Sequence, residues 1–378
     1  MSNKTAKIAA SIVLIFLMMS VNPVNAASFR ETPRKAQRGD AQAQCDLGYM
    51  YQEGEGVSKN YSEAVKWYRK AADQDLAQAQ NRLGLMYQYG RGVRQSYSEA
   101  VSWYRKAAEQ DYAVAQGNLA YMYETGRGVT RDYFEAVKWY RRGAENGNYR
   151  SQNNLGDMYY YGRGVKQDYF EAIKWYRRAA NEGYGDAQAN MGIMYEFGRG
   201  VKQDYSEALM WYRRAANNDN SLGQKYLADM YYNGKGVDED YEEAVRWYRK
   251  AAEQDLASAQ NDLGWMYQKG YGVRQNYSEA VRWYRKSAEN GNARGMNNMG
   301  WMYQNGLGVS QDYEEAVKWY RKSADNGNAS GQYNLGYMYR HGYGVDQDYD
   351  EAVRWWRLAA RQGNDNAQTE LRDLGESW

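Results

Sequence analysis

The scarcest chemically capable residues of this 378-residue chain are one cysteine, Cys45, and one histidine, His341. That excludes disulfide frameworks, Cys/His zinc sites and any catalytic unit built on two histidines. Cys45 reads as an exposed or half-buried thiol and His341 as the end of a helix, each without a partner. Carboxylates are plentiful, 47 Asp and Glu. Hydrolysis by paired carboxylates needs two acids in divergent environments, whereas these recur copy after copy at helix starts and surfaces. A catalytic site is singular and nothing here is, so no catalytic residues, metal or cofactor are expected. The 49 Lys and Arg leave a net charge of +2, which makes no case for nucleic acid. One basic column stands out: Arg69, Arg105, Arg141, Arg177, Arg213, Arg249, Arg285, Arg321 and Arg357. Pairs such as Arg69/Asp73 and Arg105/Glu109 lie four residues apart, the spacing of a weak helix-surface ion pair. That reading is preferred over an anion-binding ladder.

Aromatic residues are the other resource: 40 Tyr and 13 Trp against 5 Phe. Most recur at fixed positions and read as core. Two columns vary freely: Tyr49/Glu53, Leu85/Tyr89, Tyr121/Thr125, Asp157/Tyr161, Ile193/Phe197, Asp229/Asn233, Trp265/Lys269, Trp301/Asn305 and Tyr337/His341. The members of each pair are one helical turn apart and share a face. Tyr49, Tyr89, Tyr121, Tyr161, Phe197, Trp265, Trp301 and Tyr337 are therefore the candidate partner-binding residues, because Tyr and Trp dominate protein-interface hot spots. The alternative is that they finish the packing between neighbouring helices.

The elements that position them repeat. Trp67, Trp103, Trp139, Trp175, Trp211, Trp247, Trp283, Trp319 and Trp355 stand 36 residues apart without interruption. They define nine units, 39–74 through 327–362, and a half unit, 363–378, expected to cap the end. In unit five, Ala187, Met191, Met194 and Tyr195 make one face of a first helix. Gly198 and Gly200 break it. Asp204 and Glu207 form a capping box, the Asp taking one free backbone N–H and the Glu reaching back to another. Tyr205, Ala208, Leu209, Tyr212 and Ala216 follow on a second helix. A first-helix glycine (Gly48, Gly84, Gly156, Gly192, Gly264, Gly300, Gly336) costs about 1 kcal/mol of helix propensity, so close helix approach is expected there. No unit buries its stripe alone, so the expected fold is an all-α, right-handed α-solenoid of about 19 helices. Residues 27–38 read as a frayed lead-in, with Thr32 and Pro33 as N-cap and N1.

Residues 1–26 have a different character. Lys4 and Lys7 precede an apolar run, Ile8 to Val21, too short for a membrane span of about 20 residues. Val24-Asn25-Ala26 follows as a small-residue cleavage site. This is a Sec-type signal peptide, the alternative being an uncleaved anchor. Cleavage leaves a mature charge of 0, no stable membrane insertion, and a periplasmic or secreted location.

The unit resembles the Sel1-like repeat, a relative of the tetratricopeptide repeat. Unit seven carries the pattern in Ala257, Ala259, Leu263, Gly264, Met266, Tyr267, Gly270, Gly272, Val273, Tyr277, Glu279, Ala280, Val281, Trp283, Tyr284, Arg285, Lys286 and Ala288. The tetratricopeptide repeat has 34 residues and commonly a closing proline; here the period is 36 and both prolines lie outside the units. The resemblance implies a protein-binding scaffold whose first helices line the concave face. The layout of Tyr-rich repeats behind a leader is similar to that of secretory immunoglobulin A-binding proteins of the EsiB type. It implies a host glycoprotein or a bacterial envelope protein as partner. Cysteine-rich members linked to β-lactam binding carry a disulfide in each repeat; this chain does not, so that activity is not implied.

Overall fold

The computed structural model describes residues 28–378, with side chains from residue 31. The leader expected at 1–26 lies outside the described residues. These residues fold into twenty helices and no strands. They form two compact bodies, one ending at Lys202 and one beginning at Gln203, so unit five is divided between them.

Within each body the organisation is the same. In unit one the first helix is Ala41–Glu53 and the second Tyr61–Ala72; in unit eight they are Ala293–Asn305 and Tyr313–Asp325. The first turn glycine closes the first helix in the left-handed conformation, as Gly54 does at φ 83°. Consecutive first helices approach each other directly in units three and four and in units seven, eight and nine, an approach the second helices do not match. That crowding puts the first helices on the inner side of each stack.

Leu83, Leu119, Leu155, Met191, Leu227, Leu263, Met299 and Leu335 are fully buried, and the Met column is nearly so. The second helices add fully buried Ala and Tyr, among them Tyr104, Tyr140, Tyr212, Tyr284 and Tyr320. The first-helix glycine is explained by that tyrosine. A Cβ on Gly84 would lie 2.6 Å from the Tyr104 ring, and one on Gly264 would lie 2.7 Å from the ring of Tyr284.

The second turn glycine is a joint between units. A Cβ on Gly92 would fall 2.3 Å from the Tyr61 carbonyl oxygen of the preceding unit, and one on Gly272 would fall 2.1 Å from that of Tyr241. Buried glutamines make another joint. Gln80 Nε2 donates to the Ala72 carbonyl at 3.3 Å, and its Oε1 accepts from Gln110 at 2.8 Å. Gln116, Gln260 and Gln332 repeat the arrangement.

Three expectations change. The Arg column does not pair with acids four residues on. Arg105 donates to the Tyr123 hydroxyl of the next unit at 2.6 Å, Arg249 to Tyr267 at 2.7 Å, and Arg69 and Arg321 to Tyr87 and Tyr339. A buried-edge tyrosine outcompetes a solvated carboxylate. Arg357 turns to Glu376 and the Ser377 carbonyl. The capping box is also half made. Asp204 Oδ1 accepts from the N–H groups of Ser206 and Glu207, but the cap's own N–H, as at Asp132, goes to a first-helix carbonyl, Tyr123. The glutamate is left to pair outward, as Glu135 does with Lys138 at 3.1 Å. Lastly, residues 28–37 are a helix, Ser28–Gln37, with Thr32 and Pro33 inside it. It is docked, not frayed: Ala36 is buried against Ala43, Leu47 and Met50, and its carbonyl accepts from Gln44 as Ala72 does from Gln80.

Candidate functional site

The candidate residues lie on the inner, first-helix side of each body. Tyr49, Tyr89, Tyr121, Tyr161 and Phe197 lie on the first body; Trp265, Trp301 and Tyr337 lie on the second. Tyr161 and Phe197 are more than half exposed, while Tyr89, Trp265 and Trp301 are exposed by 36 to 39%. Tyr49, Tyr121 and Tyr337 are half-buried. Among the described residues no two of these eight rings stack on each other. Seven of the eight are held instead by a local neighbour, as Arg82 lies 4.7 Å over Tyr49, Lys269 lies 4.6 Å over Trp265, and His341 packs 4.3 Å from Tyr337. His341 also stacks on Tyr343 at 5.5 Å, so it has ring partners after all.

Two members of the variable columns have a structural task that sequence reasoning missed. The buried second-helix tyrosine sends its hydroxyl to the first helix, where the residue before the second column accepts it. Gln52 accepts from Tyr68 at 2.8 Å, and Glu124 accepts from Tyr140 at 2.7 Å. In units four and six that acceptor is replaced by Tyr160 and Tyr232. Asp157 and Asp229 then take over, accepting from Tyr176 at 2.7 Å and from Tyr248 at 2.6 Å. In unit nine the position is Arg340, which cannot accept, and Trp356 replaces the tyrosine and donates to the Tyr333 carbonyl at 3.1 Å. The compensation was readable by comparing copies two columns at a time.

On the second body the first helices of units six to nine border an open pocket of about 370 Å³, lined by Asp262, Trp265, Arg294, Asn297 and Asn298, with Tyr248 and Asn328. A polar chain runs along it. Asn334 donates to Asn297 at 2.8 Å, Asn298 to Asn261 at 2.9 Å, and Asn261 to Asp262 at 3.1 Å. Lys225 sits 2.6 Å from Asp229 and 3.8 Å from Asp262. Burial raises the Asp262 carboxyl above the ordinary range against the opposing pull of Lys225. Burial pulls the Lys225 ammonium down, and Asp229 with Asp262 more than reverses it. The asparagines thus form a chain of amide hydrogen bonds along the pocket, beside the indole of Trp265.

Cys45 is not the exposed or half-buried thiol expected. It is buried at 1% exposure, and burial pushes its thiol up to about 12, a non-nucleophilic state at neutral pH. Among the described residues no three His, Cys, Asp or Glu gather as a metal site, and no helix is long and apolar enough to cross a membrane.

Comparison with known proteins follows the same lines. The Sel1 repeat matches nine times, at 41–76, 77–112, 113–148, 150–184, 185–220, 221–256, 257–292, 293–328 and 329–364. Over 68 residues the chain is 39% identical to the secretory immunoglobulin A-binding protein EsiB of Escherichia coli O6:H1; the match spans 18% of this chain and 14% of that protein. The crystal structure of c5321, a protective antigen of uropathogenic Escherichia coli displaying an SLR fold, superposes with a TM-score of 0.63 at 36% identity. It covers 95% of this chain and 84% of that one. A Sel1 repeat protein from Oxalobacter formigenes superposes with a TM-score of 0.58 at 32% identity, covering 86% and 93%. Nine copies of one helix pair, joined by the same bonds and matched along nearly their whole length, make this chain a member of the Sel1 repeat family, a helical solenoid of the class that typically serves as a protein-interaction scaffold.

Proposed function

We propose that the chain is an exported, non-catalytic scaffold that grips a protein partner with its concave first-helix side. The observation that carries this reading is the pair Trp265 and Trp301, one unit apart, each over one-third exposed, with Trp265 at the rim of the amide-lined pocket. A large indole beside amide groups is the anatomy of an interface anchor. Tyr49, Tyr89, Tyr121, Tyr161 and Phe197 are the corresponding positions of the first body, and Tyr337 is a further one on the second. The short similarity to EsiB supports a host glycoprotein such as secretory immunoglobulin A as partner. A bacterial envelope protein is the second reading, favoured by the signal-peptide pattern of residues 1–26. The test is retention of partners from mucosal secretions and from envelope extract by the mature protein and by its Trp265→Ala/Trp301→Ala variant. Immunoglobulin retained by the parent and lost by the variant supports the first partner; the same result with an envelope protein supports the second. Equal retention by a variant that melts at a lower temperature would make the two indoles packing residues and remove the reading.

A further inference from the structure

We propose that the turn edge of the first body binds an acidic peptide segment studded with large apolar side chains. This rests on the protein-binding reading and names the chemistry of the segment that the first body takes.

The middle residue of the Gly-x-Gly turn is Arg91, Arg127, Arg163 and Arg199 in units two to five. Each guanidinium is laid on rings. Arg91 lies 5.3 Å from Tyr89 and 5.7 Å from Tyr61, and Arg127 lies 5.7 Å from Tyr121 and 5.6 Å from Tyr97. Arg163 lies 4.8 Å from Tyr161, and Arg199 lies 5.2 Å from Phe197. Among the described residues only Arg163 has a carboxylate within ion-pair reach, Glu124 at 3.7 Å. Packing does not require the charge. On the second body Tyr271 stacks on Tyr241 at 5.0 Å and Tyr343 on Tyr313 at 5.2 Å, filling the place that Arg91 takes over Tyr61. Exposed Arg94, Arg131, Lys166 and Lys202 add to the same turns. Residues 27–202 carry 26 Lys and Arg against 21 Asp and Glu, a net +5; residues 203–378 carry 21 against 26, a net −5.

The same edge carries the most exposed aromatic residues among the described ones, Phe134 at 76% and Phe170 at 75%. In the other units this position is Ser62, Ser98, Ser206, Ser278, Glu242, Glu314 or Asp350. The turn glycines seat on these helix starts: a Cβ on Gly164 would fall 2.3 Å from the Tyr133 carbonyl oxygen, and one on Gly200 would fall 3.1 Å from the Phe170 nitrogen. The turns that carry Arg163 and Arg199 are therefore seated on the helix starts that carry Phe134 and Phe170.

A guanidinium held on a ring presents its N–H edge to a carboxylate with little entropy left to lose. A phenylalanine three-quarters exposed gains from an apolar partner. Acids flank the two rings, Asp132 and Glu135 about Phe134, Asp168 and Glu171 about Phe170. A nucleic acid backbone or an anionic bilayer would press continuous negative charge onto these acids. A peptide sets its carboxylates on the arginines and its apolar side chains on the rings.

The experiment uses the mature chain and a fluorescent synthetic peptide alternating Glu and Leu. One variant carries Arg91→Tyr, Arg127→Tyr, Arg163→Tyr and Arg199→Tyr; a second carries Phe134→Ser and Phe170→Ser. Both sets install residues the chain itself uses at these positions, and thermal melts verify the fold. The arginine variant is expected to bind at least about tenfold more weakly and to lose most of the salt dependence between about 50 and 200 mM. The phenylalanine variant is expected to weaken binding at every salt concentration while keeping its slope. Unchanged binding by the arginine variant overturns the proposal, as does tighter binding of oligothymidylate or phosphatidylglycerol vesicles than of the peptide. If the indole variant loses its partner while the arginine variant loses nothing, the edge falls and the scaffold reading stands. Loss of the peptide only in the arginine variant, with the indole variant's partners intact, leaves the edge standing alone.

Discussion

Asp157→Asn isolates one charge whose effect reverses with pH. Burial pushes the Asp157 carboxyl up to about 7 from its ordinary 3.8; Glu124 and Asp186 add to this, and the Tyr176 hydrogen bond and Arg163 oppose it. Between these two values the folded chain holds a proton that the unfolded chain has released. Stability from this group is therefore complete below pH 3.8 and is lost as pH rises towards 7. At 1.36 kcal/mol per unit the whole window is worth at most about 4 kcal/mol, and about half that once water at its partly exposed side is allowed for. Asparagine keeps the shape and still accepts from the Tyr176 hydroxyl, but it carries no charge to desolvate. The variant should melt within about 1 °C of the parent at pH 4 and about 4–8 °C above it at pH 8, followed by circular dichroism. Asp229→Asn is the contrast: the same hydroxyl-accepting role, but with Lys225 at 2.6 Å, so loss of the charge there should destabilise at pH 8. An Asp157→Asn variant no more stable than the parent at pH 8 would refute the reasoning, because Tyr176 would then be stabilising the ionised form.

Cys45 should resist Ellman's reagent at pH 8 in the folded chain and react fully in urea; prompt reaction without denaturant would contradict its burial. Arg105→Met and Tyr123→Phe should show a coupling of about 1–2 kcal/mol in a double-mutant cycle read by urea unfolding, while Glu109→Gln should move stability by less than about 0.5 kcal/mol. Gly264→Ala should destabilise by about 1–3 kcal/mol despite its helix propensity, because its Cβ meets the Tyr284 ring; a gain in stability would show that the ring can step aside.

The array was legible because its signals are local and copied. Trp spacing, the Leu–Met stripe, the turn glycines and the Asp caps all act within one or two turns of helix. The joints were less legible. Arg105 faces Glu109 along its own helix and Tyr123 across a unit boundary, and sequence spacing registers only the first. Cys45 was misread because its column holds polar residues elsewhere, such as Asn81 and Asn153; these are buried too, tied to Asn118 and Asn190. A polar column signals exposure only when its members find no partner on the neighbouring helix. The start of each unit shows a similar substitution. Gly147 and Gly183 take positive φ freely, whereas Asp75 and Asp111 take it at 60° and are steadied by Gln80 and Gln116. Of the candidate site, the half-exposed columns were found by asking which positions the copies leave free. The arginine turn was hidden because its neighbours conform so closely to the template.

Each joint reaches no farther than the adjoining unit: 18 residues from Arg105 to Tyr123, 30 from Gln80 to Gln110, 31 from Tyr61 to Gly92. Removing or inserting one whole unit between template units therefore re-forms the Arg–Tyr and glycine–carbonyl joints with the same residue types. Unequal recombination between such copies would lengthen or shorten the array by whole units without any change to the parts.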